Sequence, residues 1–386
     1  MPVEPARSES TTTWVDDAAG LARLASELVS APSIALDTEQ DSFFSYRTKI
    51  CLIQVAADGR EWIVDPLRLR DLSPLAAALA DESVPKIAHA ADNDLHLLRK
   101  EFGLEVRGLF DTMVAASVLG FRKTGLAGLL EEQFGVRLEK RFQRSDWRVR
   151  PLSAEQIEYA ALDVRHLDAL MAFLRVRLEE TARVEEAFSE FRRVERVVHE
   201  EHAFDPEDYA HVDGARQLDG IGRRILRELF IWRDEIASSE DRAPFRVCGD
   251  SALVRLAASI PRDERAISSI PGLPDRFKGR GATPLVERIR DAERLGPLPP
   301  PPRRSRDENG PRLSDEQRIV LERLKAWRSR RAAARGVDTG RIAPNTLLLR
   351  LVIDRPADAA GLATSGFEPW RIREYGTDVL GVLAES

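Results

Sequence analysis

Only two cysteines, Cys51 and Cys248, occur in 386 residues, and they stand far apart. That scarcity excludes a disulfide framework and a CxxC zinc clip, and it suits buried thiols in a reducing compartment. No apolar stretch approaches the roughly 18–20 residues needed to cross a bilayer, so no membrane partner is expected. The opening MPVEPARSESTTTW lacks a basic start followed by an apolar core, so a secretion signal is not expected and a cytoplasmic location is. Histidine is also sparse, six in all, and the suggestive HEEH places His199 and His202 three apart. A zincin helix needs HExxH with its histidines four apart, so a solvated helix face is the better reading.

What is abundant is charge, 32% of the chain, with a formal net of −6. The acidic balance conceals two basic tracts. Arg303–Arg350 holds 13 Lys+Arg against 6 Asp+Glu, and Gly120–Arg150 holds 8 against 4. Such tracts are footprints for a polyanion, although a solvated arginine-rich face explains them too.

The first half alternates short apolar runs with helical patterns. Ile34–Glu39, Lys49–Ala56 and Glu61–Val64 are strand-like, the latter two joined through the turn signal Asp58-Gly59. A short run Lys86–Ala88 precedes a helix from Asn93 to Phe102, and Val106–Phe110 leads to Asp111-Thr112 at the N-cap position of a helix over Met113–Leu119. Ser153 with Gln156 has the form of a capping box opening one long helix through about Arg177. This alternation predicts an α/β domain with a mixed sheet.

The second half is helical and repeats itself at an offset of 95 residues. That offset carries Leu226 onto Leu321, Trp232-Arg233 onto Trp327-Arg328, Asp250 onto Asn345, Pro261 onto Pro356 and Gly281 onto Gly376. Two small helical modules follow, separated by GPLPPPPRRSRDENGP, a semi-extended linker. The expected boundaries are 1–200 for the α/β domain with a short N-terminal extension, 201–296 for the first module, 297–312 for the linker and 313–386 for the second module. DGIGRR in the first module contains a GxG, but no strand precedes it and the remaining glycine spacing is missing, so it is not a nucleotide-binding turn.

Three segments carry chemistry. In IALDTEQ, Asp37 and Glu39 are two apart at a strand end, which puts both carboxylates on one face. In isolation that pattern is usually a solvated strand end. KIAHAADNDLHLL, however, places Asp94 near the first turn of a helix, and EYAALDVRHL puts Tyr159 and Asp163 four apart on one helical face. Clustered carboxylates repel unless a cation lies between them, and their hard oxygens favour magnesium or manganese over zinc.

LDTEQ, the Asp94 segment and YAALD resemble the three exonuclease motifs of the DEDD superfamily, in its tyrosine-bearing branch. The flanking KICLIQVA, LFDTMVAASVLG and GLAGLLEEQFGVRLEKRFQRSDWRVRPLSAEQIEYAALDVRHL are similar to the ribonuclease D family. WRDE…PFRVCGDSALVRLA and WRSR…IAPNTLLLRLV resemble paired HRDC domains. One departure is Gln40, where many members have phenylalanine. The resemblance implies an α/β exonuclease domain with a ribonuclease H-like mixed sheet and flanking helices, followed by two small all-α HRDC-like domains. It implies 3′→5′ hydrolysis of RNA with a free 3′ end, tRNA precursors among its substrates, by a monomer using two divalent ions, Mg²⁺ or Mn²⁺. On that reading Asp37 bridges both ions, Glu39 and Asp163 complete the site of the attacking water, Asp94 holds the second ion, and Tyr159 orients the water.

His89, Lys140, Arg144, Trp147 and Arg150 are candidate substrate contacts, the cations for phosphates and Trp147 as a face for a base. In SIPGLPDRFKGRG of the first module, Lys278 and Arg280 are placed to touch backbone phosphate, with helix packing as the alternative account of the glycines. Two other functions stay open at this stage: a DNA-directed exonuclease on the same site, and a catalytically silent nucleic-acid-binding protein.

Overall fold

A computed structural model of the chain describes residues 12–139, 141–199, 203–301 and 313–385. Lys140, His202 and the greater part of the 297–312 linker therefore lie outside the described residues.

The short β-branched and apolar runs form the strands of one mixed sheet. These are β1 (Thr12–Val15), β2 (Ile34–Gln40), β3 (Ile50–Ala57), β4 (Arg60–Val64), β5 (Lys86–Ala88) and β6 (Leu109–Asp111), in the order β1-β4-β3-β2-β5-β6. β3 and β4 are antiparallel, and their turn places both Asp58 and Gly59 at positive φ, the backbone a two-residue hairpin requires. β1 pairs with β4, β2 with β5, and β5 with β6, all parallel. Parallel neighbours need helical crossovers, and the sequence supplies them.

The helices are α1 (Ala18–Val29), α2 (Ala76–Ala80), α3 (Asp92–Phe102), α4 (Thr112–Val118), α5 (Leu126–Phe134), α6 (Ala154–Arg165), α7 (Leu167–Glu180) and α8 (Val184–Glu195). The Ser153–Gln156 capping box is complete, with each side chain meeting the other's backbone N–H. The single long helix expected after it is corrected: it breaks at His166 into α6 and α7. The break lets α6 lie on β3 and β4 while α7 turns to pack on β5 and α4. One large apolar cluster joins the sheet to α1, α3, α4, α7 and α8. A smaller one, including Cys51, Leu52, Ile63, Trp147, Ala160 and Ala161, lies under α6.

The repeat read in the sequence is a repeat of structure. The middle module contains α9 (Gly220–Ser239), α10 (Pro244–Val247), α11 (Asp250–Ser259), α12 (Glu264–Ser268) and α13 (Thr283–Arg294). The C-terminal module contains α14 (Asp315–Arg335), α15 (Thr339–Ile342), α16 (Asn345–Asp354), α17 (Ala359–Thr364) and α18 (Pro369–Ala384). The first four helices of the two modules begin 95 residues apart. An arginine clasp recurs at the same offset. Arg233 donates to the Cys248 carbonyl and the Asp250 carboxylate, and Arg328 donates to the Ala343 carbonyl and Asn345 Oδ1. Helix termination repeats too, through left-handed Ile260 and Arg355. In the glycine-rich turn of the middle module, a Cβ on Gly281 would come within 2.0 Å of the Arg276 carbonyl oxygen, so close packing accounts for that glycine. Lys278 there is paired with Asp275 at 2.8 Å.

Contacts divide the chain into two compact units. The α/β domain and the C-terminal module form one; the segment Gln40–Lys49 and the middle module form the other. In the latter, Tyr46 donates to Asp234 at 2.8 Å, Lys49 pairs with Asp241 at 3.0 Å, and Arg246 lies over the Phe44 ring.

In the former, α8 meets the C-terminal module through ion pairs that are largely buried. Arg335 pairs with Glu186 at 2.9 Å, while Arg371 and Arg341 converge on Glu190 at 3.0 and 3.2 Å. Burial alone would raise the Glu190 pKa, but Arg193, Arg371 and Arg341 together hold it below its ordinary value. Removing Glu190 leaves Arg371 with Glu368 alone and takes the carboxylate from Arg341, so Glu190→Ala should lower unfolding stability by about 3 kcal/mol. Urea unfolding followed by fluorescence checks this; a loss under ~1 kcal/mol would show the network to be ornamental.

Candidate active site

β2 is the strand beside β5, and its end presents Asp37 and Glu39 on one wall of a cavity of about 430 Å³. Tyr159 and Asp163 reach the same cavity from α6, and His89 from the end of β5. Asp94, in the first turn of α3, lies close enough to Asp37 to raise its pKa, and its carboxylate accepts a hydrogen bond from the Thr38 hydroxyl. The three segments thus converge as their spacing requires.

The turn carrying His89 and Asp94 is held by Asp111. This buried carboxylate accepts from the N–H groups of Met113 and Val114, capping α4, and from those of Ala90 and Ala91 ahead of α3. Ala90 takes a positive φ of 61°, a conformation that such anchoring sustains. Asp111 therefore does more than the N-cap expected of it.

The electrostatics are those of crowded acids in a dry site. Asp37 keeps some surface on the cavity wall, yet its carboxylate is enclosed, and burial followed by Asp94, Asp163 and Glu39 pushes its pKa well up. Burial, with Asp163 and Asp94, raises Glu39 from 4.5 to about 9. Burial raises Asp163 from 3.8 to about 7. Among the described residues no group of three His, Cys, Asp or Glu side chains is placed to hold an ion by itself. Magnesium does not need one, because it binds through one or two carboxylates and completes its shell with water and substrate phosphate. Buried carboxylates that oppose each other's ionisation must either hold protons or take up a cation, and this all-oxygen donor set fits a hard divalent ion.

Tyr159 is gripped on both sides. Trp147 stacks on it with centroids 6.1 Å apart, and Phe142 meets it edge-on at 5.8 Å. Burial, then Asp163, Glu39 and Asp37, raise its pKa far above the ordinary value, so its hydroxyl stays protonated.

Two expected substrate contacts are corrected. Trp147 is 1% exposed and offers no face to a base; it is the platform beneath Tyr159. Among the described residues its indole N–H makes no hydrogen bond of good geometry, but its dipole still favours the ionised form of Glu39. Arg150 is bound in a fork to Asp65 at 2.7 and 2.9 Å and donates to the carbonyls of Trp147, Val149 and Cys51. It fastens the Trp147 loop to β3 and has no donor left for phosphate. Arg144 is exposed and does not line the cavity, Lys140 lies outside the described residues, and of the four described candidates His89 alone lines it. The sequence reading passed over Gln143, Glu139 and Leu162, which also line the cavity; the last follows from its place beside Asp163 on α6, whereas nothing local marks the others.

Residues 12–179 match the 3′-5′ exonuclease family, and residues 222–289 and 317–383 each match the HRDC domain. The chain is a 3′→5′ exonuclease with paired HRDC domains. It is 32% identical to ribonuclease D of Pseudomonas paraeruginosa over 88% of both chains, and 33% identical to that of Gluconacetobacter diazotrophicus over 76% of this chain and 75% of the other. The solved Escherichia coli RNase D, described as an exoribonuclease involved in structured RNA processing, superposes with a TM-score of 0.63 at 25% identity, covering 97% of this chain and 99% of that one. The RRP6 catalytic core of Trypanosoma brucei gives 0.68 at 28% identity, over 76% and 83%. This chain belongs to the ribonuclease D family.

A sign follows for stability. The folded pKa of Glu39 lies above its unfolded value, so its contribution is fully present below about 4.5 and is lost as pH rises through about 9. In chelator, Glu39→Gln should therefore melt progressively higher than wild type as pH goes from about 5 to about 9. Mg²⁺ should raise the melting temperature of wild type more than that of the variant. Calorimetric scans across pH, with and without Mg²⁺, test both statements; parallel curves would contradict them.

Proposed function

We propose that the chain hydrolyses RNA one nucleotide at a time from the 3′ end, at the cavity lined by Asp37, Glu39, Tyr159 and Asp163. The observation that carries the reading is the convergence of four mutually repelling carboxylates with one protonated tyrosine, in a chain of this family. Asp37, Glu39, Asp94 and Asp163 would hold two divalent ions, Mg²⁺ or Mn²⁺. When bound, these supply Lewis-acid activation of water and neutralise charge on the leaving oxygen.

The chain's own groups do the positioning. Tyr159 stays protonated, so it acts as a hydrogen-bond donor to the nucleophilic water or a phosphate oxygen, and not as a base. Its clamp by Trp147 and Phe142 fixes that donor's direction. His89 is held neutral, chiefly by burial. Thr112 Oγ1 donates to the Ala88 carbonyl at 3.1 Å, so its contact with His89 Nδ1 at 2.9 Å is best made with Nδ1 carrying the proton. That tautomer leaves Nε2 as an acceptor, suited to a ribose hydroxyl. Structured RNA such as tRNA precursors is the substrate class the family suggests, acted on by a monomer.

With 5′-labelled RNA, Mg²⁺ should produce stepwise shortening from the 3′ end, and matched DNA should be cut more slowly. Asp37→Ala or Asp163→Ala should cut the rate by at least about 10³-fold while RNA binding persists. Tyr159→Phe should cost about 10²–10⁴-fold in kcat with little change in KM. A wild-type chain inert with both Mg²⁺ and Mn²⁺ would defeat the reading; preferential loss of DNA would overturn its substrate.

A further inference from the structure

A cavity of about 430 Å³ has room for roughly one terminal nucleotide, so the rest of a bound strand must run over the protein surface. A second cavity, of about 590 Å³, lies where α8 meets the C-terminal module and is lined by Arg192, Arg193, Arg196 and Trp370. We propose that it is a binding site for the sugar-phosphate backbone of the substrate RNA, upstream of the 3′ end. The inference rests on the exonuclease reading above.

The charge balance inside the cavity supports it. The acids that share its wall are already engaged: Glu185 with Arg373, and Glu368 with Arg371 and the Ser189 hydroxyl. Arg193 is paired with Glu190. Arg192 and Arg196 are exposed, and among the described residues neither has an acidic partner. They are four apart at the end of α8, so they project together as two free guanidinium groups. A bland account would have these arginines capping the helix dipole. The free carbonyls there are taken by Arg99, which donates to those of Glu195 and Val197 at 2.6 and 3.0 Å, so neither arginine is needed to satisfy them.

Trp370 adds a second observation. It is 5% exposed, and its indole N–H has no acceptor among the described residues. Arg371 covers one face of its ring at 4.4 Å, so the residue is not an open platform for a base. Two unpaired cations with no open aromatic face beside them complement phosphate oxygens and not a nucleobase. The cavity walls come from α8 and α18, which the buried Glu186 and Glu190 network holds together, so the site is preorganised.

The test is Arg192→Ala/Arg196→Ala in the full chain, assayed on 3′-ended RNAs of about 4 and about 25 nucleotides. The short RNA should be trimmed as by wild type. On the long RNA, KM should rise about 10-fold with kcat unchanged, and the slope of log affinity against log salt should flatten by about 1.4. Arg192→Lys/Arg196→Lys should restore most of the loss. An unchanged long-RNA KM and salt slope, or equal losses on both lengths, would overturn the site. Affinity for the long RNA measured in chelator judges the site independently of hydrolysis. A wild type that trims neither length would instead contradict the exonuclease reading, and the binding series would still decide the arginine site.

Discussion

Four carboxylates crowd around the end of β2, where burial and mutual repulsion oppose their ionisation. A fold does not place acids there for stability, since each raises the cost of charging its neighbours. The surrounding structure is organised to hold them in place regardless. Asp111 ties the turn before α3 to the start of α4, and Thr38 bonds Asp94 across to β2. Arg150 fastens the Trp147 loop to β3, and Trp147 in turn sets the plane of Tyr159. The destabilised cluster becomes useful when a divalent ion and a phosphodiester supply the missing positive charge and the missing oxygens.

The two helical modules share one design and are joined differently. Both use a tryptophan-arginine pair at the same place, with the arginine clasping a carbonyl and the first residue of the third helix. The C-terminal copy shares a compact unit with the exonuclease domain, held by arginines on buried glutamates of α8. A module fixed by such pairs is not loosely tethered, because a buried pair cannot open without exposing an uncompensated charge.

Much of the site could be read from sequence because its spacing is local. Two residues along a strand and four along a helix each leave only one face, so Asp37 with Glu39 and Tyr159 with Asp163 were legible as pairs. What escaped depends on partners distant in sequence. Arg150 reads as a phosphate contact until Asp65 is found beside it, and Trp147 reads as a stacking face until it proves to lie under Tyr159. Strand β1 was passed over because TTWV is short and half polar; its parallel pairing with β4 makes it a strand. The helix break at His166 escaped for the same reason, since the two halves answer to different surfaces of the sheet.

The central claim is that the empty cluster retains protons, on Glu39 above all, and loses them as it takes up cations, and proton release measures this directly. Mn²⁺ titration calorimetry near neutral pH, in buffers of differing ionisation enthalpy, counts protons released per ion. With Glu39 near 9 and Asp163 near 7, binding should release about one proton or more, falling toward none as pH passes about 9. Mn²⁺ binding with no proton release anywhere in that range, or no binding at all, would contradict the account.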